Sequence, residues 1–194
     1  MDRRTAATEA TRGRIVDAAI RLHVQRGTRA TSWDDIAEAA QVSRATVYHH
    51  FPSLKELIPA CARVAFDLAE VPSLEQAAMG FSDLSDPRRR VSRLVRETCK
   101  CYAAGADWLR AAWRERDLVP EMADAVARLQ KARDVLIAAA VSGAGIGRDD
   151  QRTLAALIDF PFWDSLDREG MARTRIAERI EGLALKAIVT KERK

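Results

Sequence analysis

Long apolar runs are absent from this 194-residue chain. No stretch approaches the roughly 18 apolar residues that a membrane-spanning helix needs. The opening segment, MDRRTAATEATRGR, is polar and carries no secretion signal. A cytoplasmic protein with no membrane partner is therefore expected. Cysteine is scarce: Cys61, Cys99 and Cys101 are an odd number in what should be a reducing compartment, which excludes a disulfide framework. Cys99 and Cys101 stand two apart on a predicted helix and diverge around it, so they make no zinc pair with His23, His49 or His50. Neither a metal nor a cofactor is expected. Those three histidines are the only ones in the chain, and all lie in or near one motif. No acid/base pair or nucleophile–base arrangement stands out, so an enzyme is not expected. Gly143, Gly145 and Gly147 lack the preceding strand and the Lys-Ser/Thr ending of a phosphate loop, which rules out nucleotide binding there. No segment reads as a β-strand.

What the chain does have is helical periodicity and a modest positive charge. The net charge is +4 and the pI about 9.2. Through Lys55 there are nine basic residues against six acidic ones, so +3 of that charge lies in the first part of the chain. A basic surface of this kind suits a polyanion.

The segment from Ala30 to Phe51, ATSWDDIAEAAQVSRATVYHHF, contains two short helix signals separated by a tight break. Ser32 with Asp35, or Thr31 with Asp34 one residue earlier, can cap the first helix. Trp33, Ile36, Ala37 and Ala40 form its apolar face, with Trp33 read as a packing residue. Asp34 and Asp35 repel phosphate and are read as a capping, solvated edge. The break falls at Gln41-Val42-Ser43, where Val42 can plug the gap and Ser43 can cap the second helix. That helix, over residues 44–50, turns Val47 and then Phe51 inward. Arg44, Ala45, Thr46, Tyr48, His49 and His50 remain for the outer face and flanks.

Such a pair is a helix-turn-helix, whose second helix enters the DNA major groove with its first residues on base edges. Arg44 can reach two acceptors of a guanine, and Thr46 can bond a base or phosphate or touch a thymine methyl. The Tyr48 hydroxyl can reach a phosphate, and His49 and His50 can donate to phosphates or bases.

The run DDIAEAAQVSRATVYHHFPSLKEL resembles the DNA-binding signature of the TetR family of one-component transcriptional regulators. The preceding TRGRIVDAAIRLHVQRGTRATS resembles that family's first helix and its link to the second. The resemblance covers about residues 11–58 without a gap. It implies an all-α fold: an N-terminal arm and three-helix DNA-binding domain over 1–52, then a larger helical effector-binding and dimerisation domain over 53–194. By the same resemblance, Thr31, Ser32, Ser43, Arg44, Ala45, Thr46, Tyr48, His49, His50 and Lys55 are the candidate DNA-binding residues. Two positions depart from the family pattern. Gln41 stands where the family usually has glycine, which relieves a left-handed turn position. Leu54 stands where it commonly has a phosphate-binding lysine, leaving Lys55 as the nearest substitute, roughly 100° away around the helix.

The rest of the chain reads as helices. Residues 12–25 place Ile15, Ala19 and Leu22 on one face, with Gly27 as the stop. A fourth helix starts after Ser53 and runs toward Glu70, with Val64 to Leu68 among its apolar residues and Pro59 expected to kink it or reset its start. Val71-Pro72-Ser73 punctuates the chain, a short helix follows through Met79, and residues 80–87 are a loop. Helices are then expected over 88–104, near 106–116, and over 120–141 with Met122, Val126, Leu129, Leu136 and Ala140 inside. Two more follow, over 149–166 with an interruption near Pro161, and over 171–190. The basic tail of Lys191, Arg193 and Lys194 reads as a solvated end.

The resemblance implies that the last two helices pair with the same two of a second subunit. A homodimer also follows from the need to place two recognition helices about 34 Å apart on a two-fold, palindromic operator. The middle helices are implied to hold a small-molecule effector, with Phe66, Tyr102, Trp108, Trp113, Met122 and Leu129 as candidate lining residues. The reading is a sequence-specific transcriptional repressor released from double-stranded DNA by its ligand. The alternatives are a helical protein-interaction module and an activator without a ligand.

Overall fold

The computed structural model describes residues 3–66 and 73–188, with side chains over 5–64 and 73–188. Among the described residues there are only helices, turns and bends. In order they are α1 (Arg3–Arg26), α2 (Trp33–Ala40), α3 (Arg44–His50), α4 (Leu54–Phe66), α5 (Leu74–Met79), α6 (Pro87–Glu115), α7 (Pro120–Ala140), α8 (Arg148–Leu157), α9 (Phe160–Arg168) and α10 (Arg173–Ala187). The chain forms two compact units: one takes in Met1–Ala69 with Asp107–Ala127, the other Glu70–Ala106 with Arg128–Lys194.

In the first unit, α1 packs on α2 and α4, and α2 on α3. Ile15, Val16, Ala18 and Ala19 of α1 are buried, as are Ile36, Ala37 and Ala40 of α2 and Val47 of α3. Leu57, Ile58 and Cys61 of α4 join them. Small residues on α1 and α2 let helix backbones approach closely, which is how so short a helix as α3 can be held by a single side chain, Val47, and by Phe51 at its end. The helix α1 begins well before residue 12: Ala6, Ala7, Glu9 and Ala10 are good helix formers, and residues 5–10 continue the helix with exposed side chains. Pro59 sits inside α4 without resetting its start, and Val64 is exposed. The expected extension of α4 through Leu68 to Glu70 and the punctuation at Val71-Pro72 lie outside the described residues.

In the second unit, α10 packs against α8 and α9, which also touch each other. Leu154, Ile158, Phe160 and Trp163 are buried there, together with Ile176, Ile180 and Ala184 of α10. The break in the 149–166 region falls at Ile158 and Asp159, just before Pro161. Asp159 caps α9 by accepting from the Phe160 amide at 3.0 Å, and Pro161 lies in the first turn, where a missing N–H costs nothing. Asp159 also receives Arg133 at 2.9 Å and Gln130 at 3.1 Å, so the break is tied to α7. The Tyr102 hydroxyl donates to the Ile158 carbonyl at 3.0 Å and ties α6 to the same break. Arg96 pairs with Glu181 of α10 at 2.8 Å.

The expected segments 88–104 and 106–116 are the two helical stretches of α6, which meet at a kink at Gly105, whose backbone (φ −106°, ψ 15°) is not helical. Glycine is poor in a helix interior, which suits it to the kink. Buried Leu94, Val95 and Cys99 precede it, and buried Trp108, Leu109 and Ala112 follow. In α7, Met122, Val126 and Ala140 are buried as expected, whereas Leu129 and Leu136 are half-buried. Thr190 and the tail residues Lys191, Arg193 and Lys194 lie outside the described residues. No described helix is long and apolar enough to cross a membrane.

Candidate nucleic-acid interface

The start of α2 is fixed by Ser32 and not by Thr31. The Ser32 hydroxyl accepts from the Asp35 amide at 3.1 Å, while the Asp35 carboxylate accepts from the Ser32 amide at 2.8 Å. This reciprocal capping box satisfies two amides that would otherwise lack partners. The Thr31 hydroxyl instead donates to the Gly27 carbonyl at 2.7 Å. Arg26, the last residue of α1, reaches Asp35 at 2.7 Å. The Ser32 hydroxyl and amide, then Arg26, hold the Asp35 carboxyl down to about 2.

Between α2 and α3 the backbone turns through Gln41, whose φ of 55° and ψ of 48° lie in the left-handed region. Among the described residues it is the one non-glycine residue with positive φ. The departure from glycine therefore falls on the position that needs one, and the chain accepts the strain to turn within three residues. Ser43 caps α3 by accepting from the Thr46 amide at 3.1 Å, and the two hydroxyls lie 2.8 Å apart in a mutual hydrogen bond.

The α3 residues divide as the spacing predicts, with Val47 and Phe51 buried and Arg44, Ala45, Tyr48 and His49 exposed. Thr46 and His50 are half-buried. His49 and His50 meet edge to face at 5.5 Å. Partial burial, then the neighbouring His49 and Arg12, lower the His50 pKa. Arg12 of α1 lies over the Phe51 ring at 4.7 Å. Lys55 is exposed in the first turn of α4, where its amide donates to the Ser53 hydroxyl at 3.2 Å. Leu54 is half-buried and offers no charge for a phosphate.

Two features of this surface have no local signal in the sequence. Arg44 Nη1 donates to Asp34 Oδ2 at 2.9 Å, bridging α3 back to α2. Tyr48 packs on Trp33 with ring centroids 5.2 Å apart, and Arg44 lies over the Tyr48 ring at 5.4 Å. Asp34 is thus part of the α3 face as well as a solvated edge. Only its spacing of ten positions from Arg44 connects the two, and that follows from the turn geometry, which no periodicity reports.

Of the candidate effector residues, Trp108, Trp113 and Met122 belong to the first unit, and Tyr102 and Leu129 to the second. Trp108, Met122 and Tyr102 are buried, while Trp113 and Leu129 are half-buried. Tyr102 meets Phe160 edge to face at 5.4 Å, and burial raises its pKa. The Phe66 side chain lies outside the described residues. Burial pushes the Cys61 and Cys99 thiols up to about 12, so neither is a ready nucleophile. Among the described residues, no group of three or more His, Cys, Asp or Glu side chains is placed to hold a metal ion.

Residues 15–61 match the family model described as bacterial regulatory proteins, tetR family. The HTH-type transcriptional repressor KstR2 of Mycobacterium tuberculosis is 34% identical over 67 residues, which cover 34% of this chain and 34% of the relative. The matched stretch thus spans about a third of the length of such curated relatives. Over nearly the whole length, the chain is similar to NalD of Pseudomonas aeruginosa, the secondary repressor of the MexAB-OprM multidrug efflux pump. The TM-score is 0.74 at 25% identity, covering 96% of this chain and 100% of that one. A protein from Saccharomonospora viridis, solved in complex with choline, shares the fold with a TM-score of 0.59 at 24% identity, covering 88% and 93% of the two chains. The capped helix pair, the left-handed turn and the matched sequence around them mark residues 15–61 as a segment of the TetR family type.

Proposed function

We propose that this protein is a sequence-specific DNA-binding transcriptional regulator that acts as a repressor. The observation that carries the reading is α3: a helix held inward by Val47 and Phe51 that turns Arg44, Ala45, Tyr48 and His49 to solvent, directly after a capped α2. Arg44 and Thr46 stand at the end of the helix that a helix-turn-helix places against base edges. Thr31, Ser32 and Ser43 lie at the two helix starts, where amides and hydroxyls suit phosphates. Tyr48, His49, His50 and Lys55 extend the same surface. The repressor role follows the relatives that carry that description.

A homodimer reading a palindromic operator supplies the second recognition helix. The half-buried Leu157, Phe162, Leu166 and Leu183 of α8, α9 and α10 are the side chains available to a partner copy. A small-molecule effector held among the middle helices releases the DNA; a protein of the same fold holds choline.

The test is selection of bound fragments from genomic DNA by the full chain, followed by release with a ligand panel. A two-fold sequence motif whose affinity falls steeply with salt is expected. Recovery of fragments without a common sequence would overturn the reading.

A further inference from the structure

Asp34 is out of place on a surface meant for DNA. A carboxylate there repels the phosphate backbone, and an exposed ion pair contributes little to stability. Its side chain is 66% exposed and that of Arg44 56% exposed. The pair nevertheless has definite geometry. Arg44 Nη1 donates to Asp34 Oδ2 at 2.9 Å, Nη2 lies 3.4 Å from the Tyr48 hydroxyl, and the guanidinium lies over the Tyr48 ring. Tyr48 in turn packs on Trp33, the neighbour of Asp34 in α2. The guanidinium is therefore held from α2 by a carboxylate and supported by an aromatic ring that also rests on α2.

A guanidinium carries five N–H donors, and these two contacts engage two of them. The remaining donors stay available in a fixed plane. A loose arginine at this position would lose rotamer freedom on binding and would accept a backbone phosphate as readily as a base. A held one, with a carboxylate at its side, is disfavoured beside phosphate and presented to the paired acceptors of a guanine.

We infer that Asp34 is a positioning residue that sets base specificity: it aims Arg44 at a base edge and away from the DNA backbone, raising discrimination at the expense of overall affinity. This rests on the reading of α3 as the DNA-contacting helix.

The experiment compares the full chain with Asp34→Ala, Asp34→Asn, Arg44→Ala and the Asp34→Ala/Arg44→Ala double variant. Each is taken through enrichment from a randomised duplex pool. Affinities are then measured for the enriched duplex, its single-base variants and a scrambled duplex. Helical content and thermal unfolding are recorded for each. The unsubstituted chain should enrich a motif, and Arg44→Ala should lose preference at one or two of its positions. Asp34→Ala should lose roughly tenfold in discrimination at those same positions, while binding the scrambled duplex about threefold more tightly because a negative charge is gone. Asp34→Asn, which keeps the shape of the side chain, should move both quantities in the same direction. In the Arg44→Ala background, Asp34→Ala should change no base preference.

Unchanged preference in both Asp34 variants would overturn the inference alone, as would loss spread over positions that Arg44→Ala leaves intact. If the unsubstituted chain enriches no motif, the DNA-reading assignment fails and this inference fails with it.

Discussion

The Glu115 carboxylate accepts a hydrogen bond from the Thr28 amide at 2.7 Å, across 87 positions of sequence. Glu115 ends α6 and is buried, and Thr28 follows the end of α1. The same carboxylate lies against Gly27, whose φ of 91° and lack of a Cβ leave room for it. Replacing Glu115 by Ala leaves a buried amide without its acceptor and should cost about 1–3 kcal/mol of stability. Gly27→Ala should be destabilising too, through positive φ and through a Cβ pressed onto the pinned carboxylate. Urea unfolding of the two single variants and the double variant checks this. The double variant should be less destabilised than the sum, because Glu115→Ala removes the obstacle that Gly27→Ala meets.

Stability should depend on pH in two windows. His23 is buried, with no hydrogen-bond partner at either ring nitrogen among the described residues. Burial lowers its pKa from 6.5 to about 4, against the opposing pull of Glu115. The unfolded chain therefore binds a proton between these values when the folded one does not. The stabilisation is complete above pH 6.5 and is lost as the pH falls toward 4. His23→Leu should flatten urea midpoints across that window. Asp35, held down from 3.8 to about 2, gives a second loss of the same sign below the first window. Asp35→Asn should remove it.

Gln41 offers a gain. A non-glycine residue in the left-handed region costs about 1–2 kcal/mol, while glycine carries an entropic penalty of about 0.5–1 kcal/mol. Gln41→Gly should raise stability by about 0.5–1 kcal/mol on balance. A lower thermal midpoint in this variant would show that the Gln41 side chain makes a contribution larger than its strain.

The dimer reading predicts that a charge at Phe162 separates the subunits. Phe162→Glu should be monomeric by sedimentation and should bind operator DNA at least tenfold more weakly, with an unchanged helical spectrum, because one short helix carries too few contacts. A dimeric Phe162→Glu protein with full affinity would place the interface elsewhere.

The helix pair was legible in the sequence because its signals are local. Ser32, Asp35 and Ser43 are capping residues at fixed offsets, Val47 and Phe51 are spaced four apart, and the turn between the helices leaves one position, Gln41, to carry the left-handed backbone. The limits of α7 were legible for the same reason, from Pro120 at its start to Gly143 beyond its end. The Asp34–Arg44 pair and the Glu115–Thr28 hydrogen bond were not, because tertiary approach creates them and no periodic pattern encodes it. The break within α6 was legible too, because Gly105, a poor helix former, falls between the two expected segments and is where the backbone leaves helical geometry. The extent of α1 was hidden by its exposure: residues 5–10 have no apolar face to announce a helix, only good propensity.

The first compact unit is assembled from two separated stretches, Met1–Ala69 and Asp107–Ala127. The part proposed to read DNA is therefore not a detachable cassette. A chimera that exchanges only the amino-terminal stretch with that of a relative would inherit a foreign counterpart for Thr28 while keeping its own Glu115. Reprogramming operator choice by grafting thus requires either transplanting both stretches together or confining the changes to the exposed face of α3.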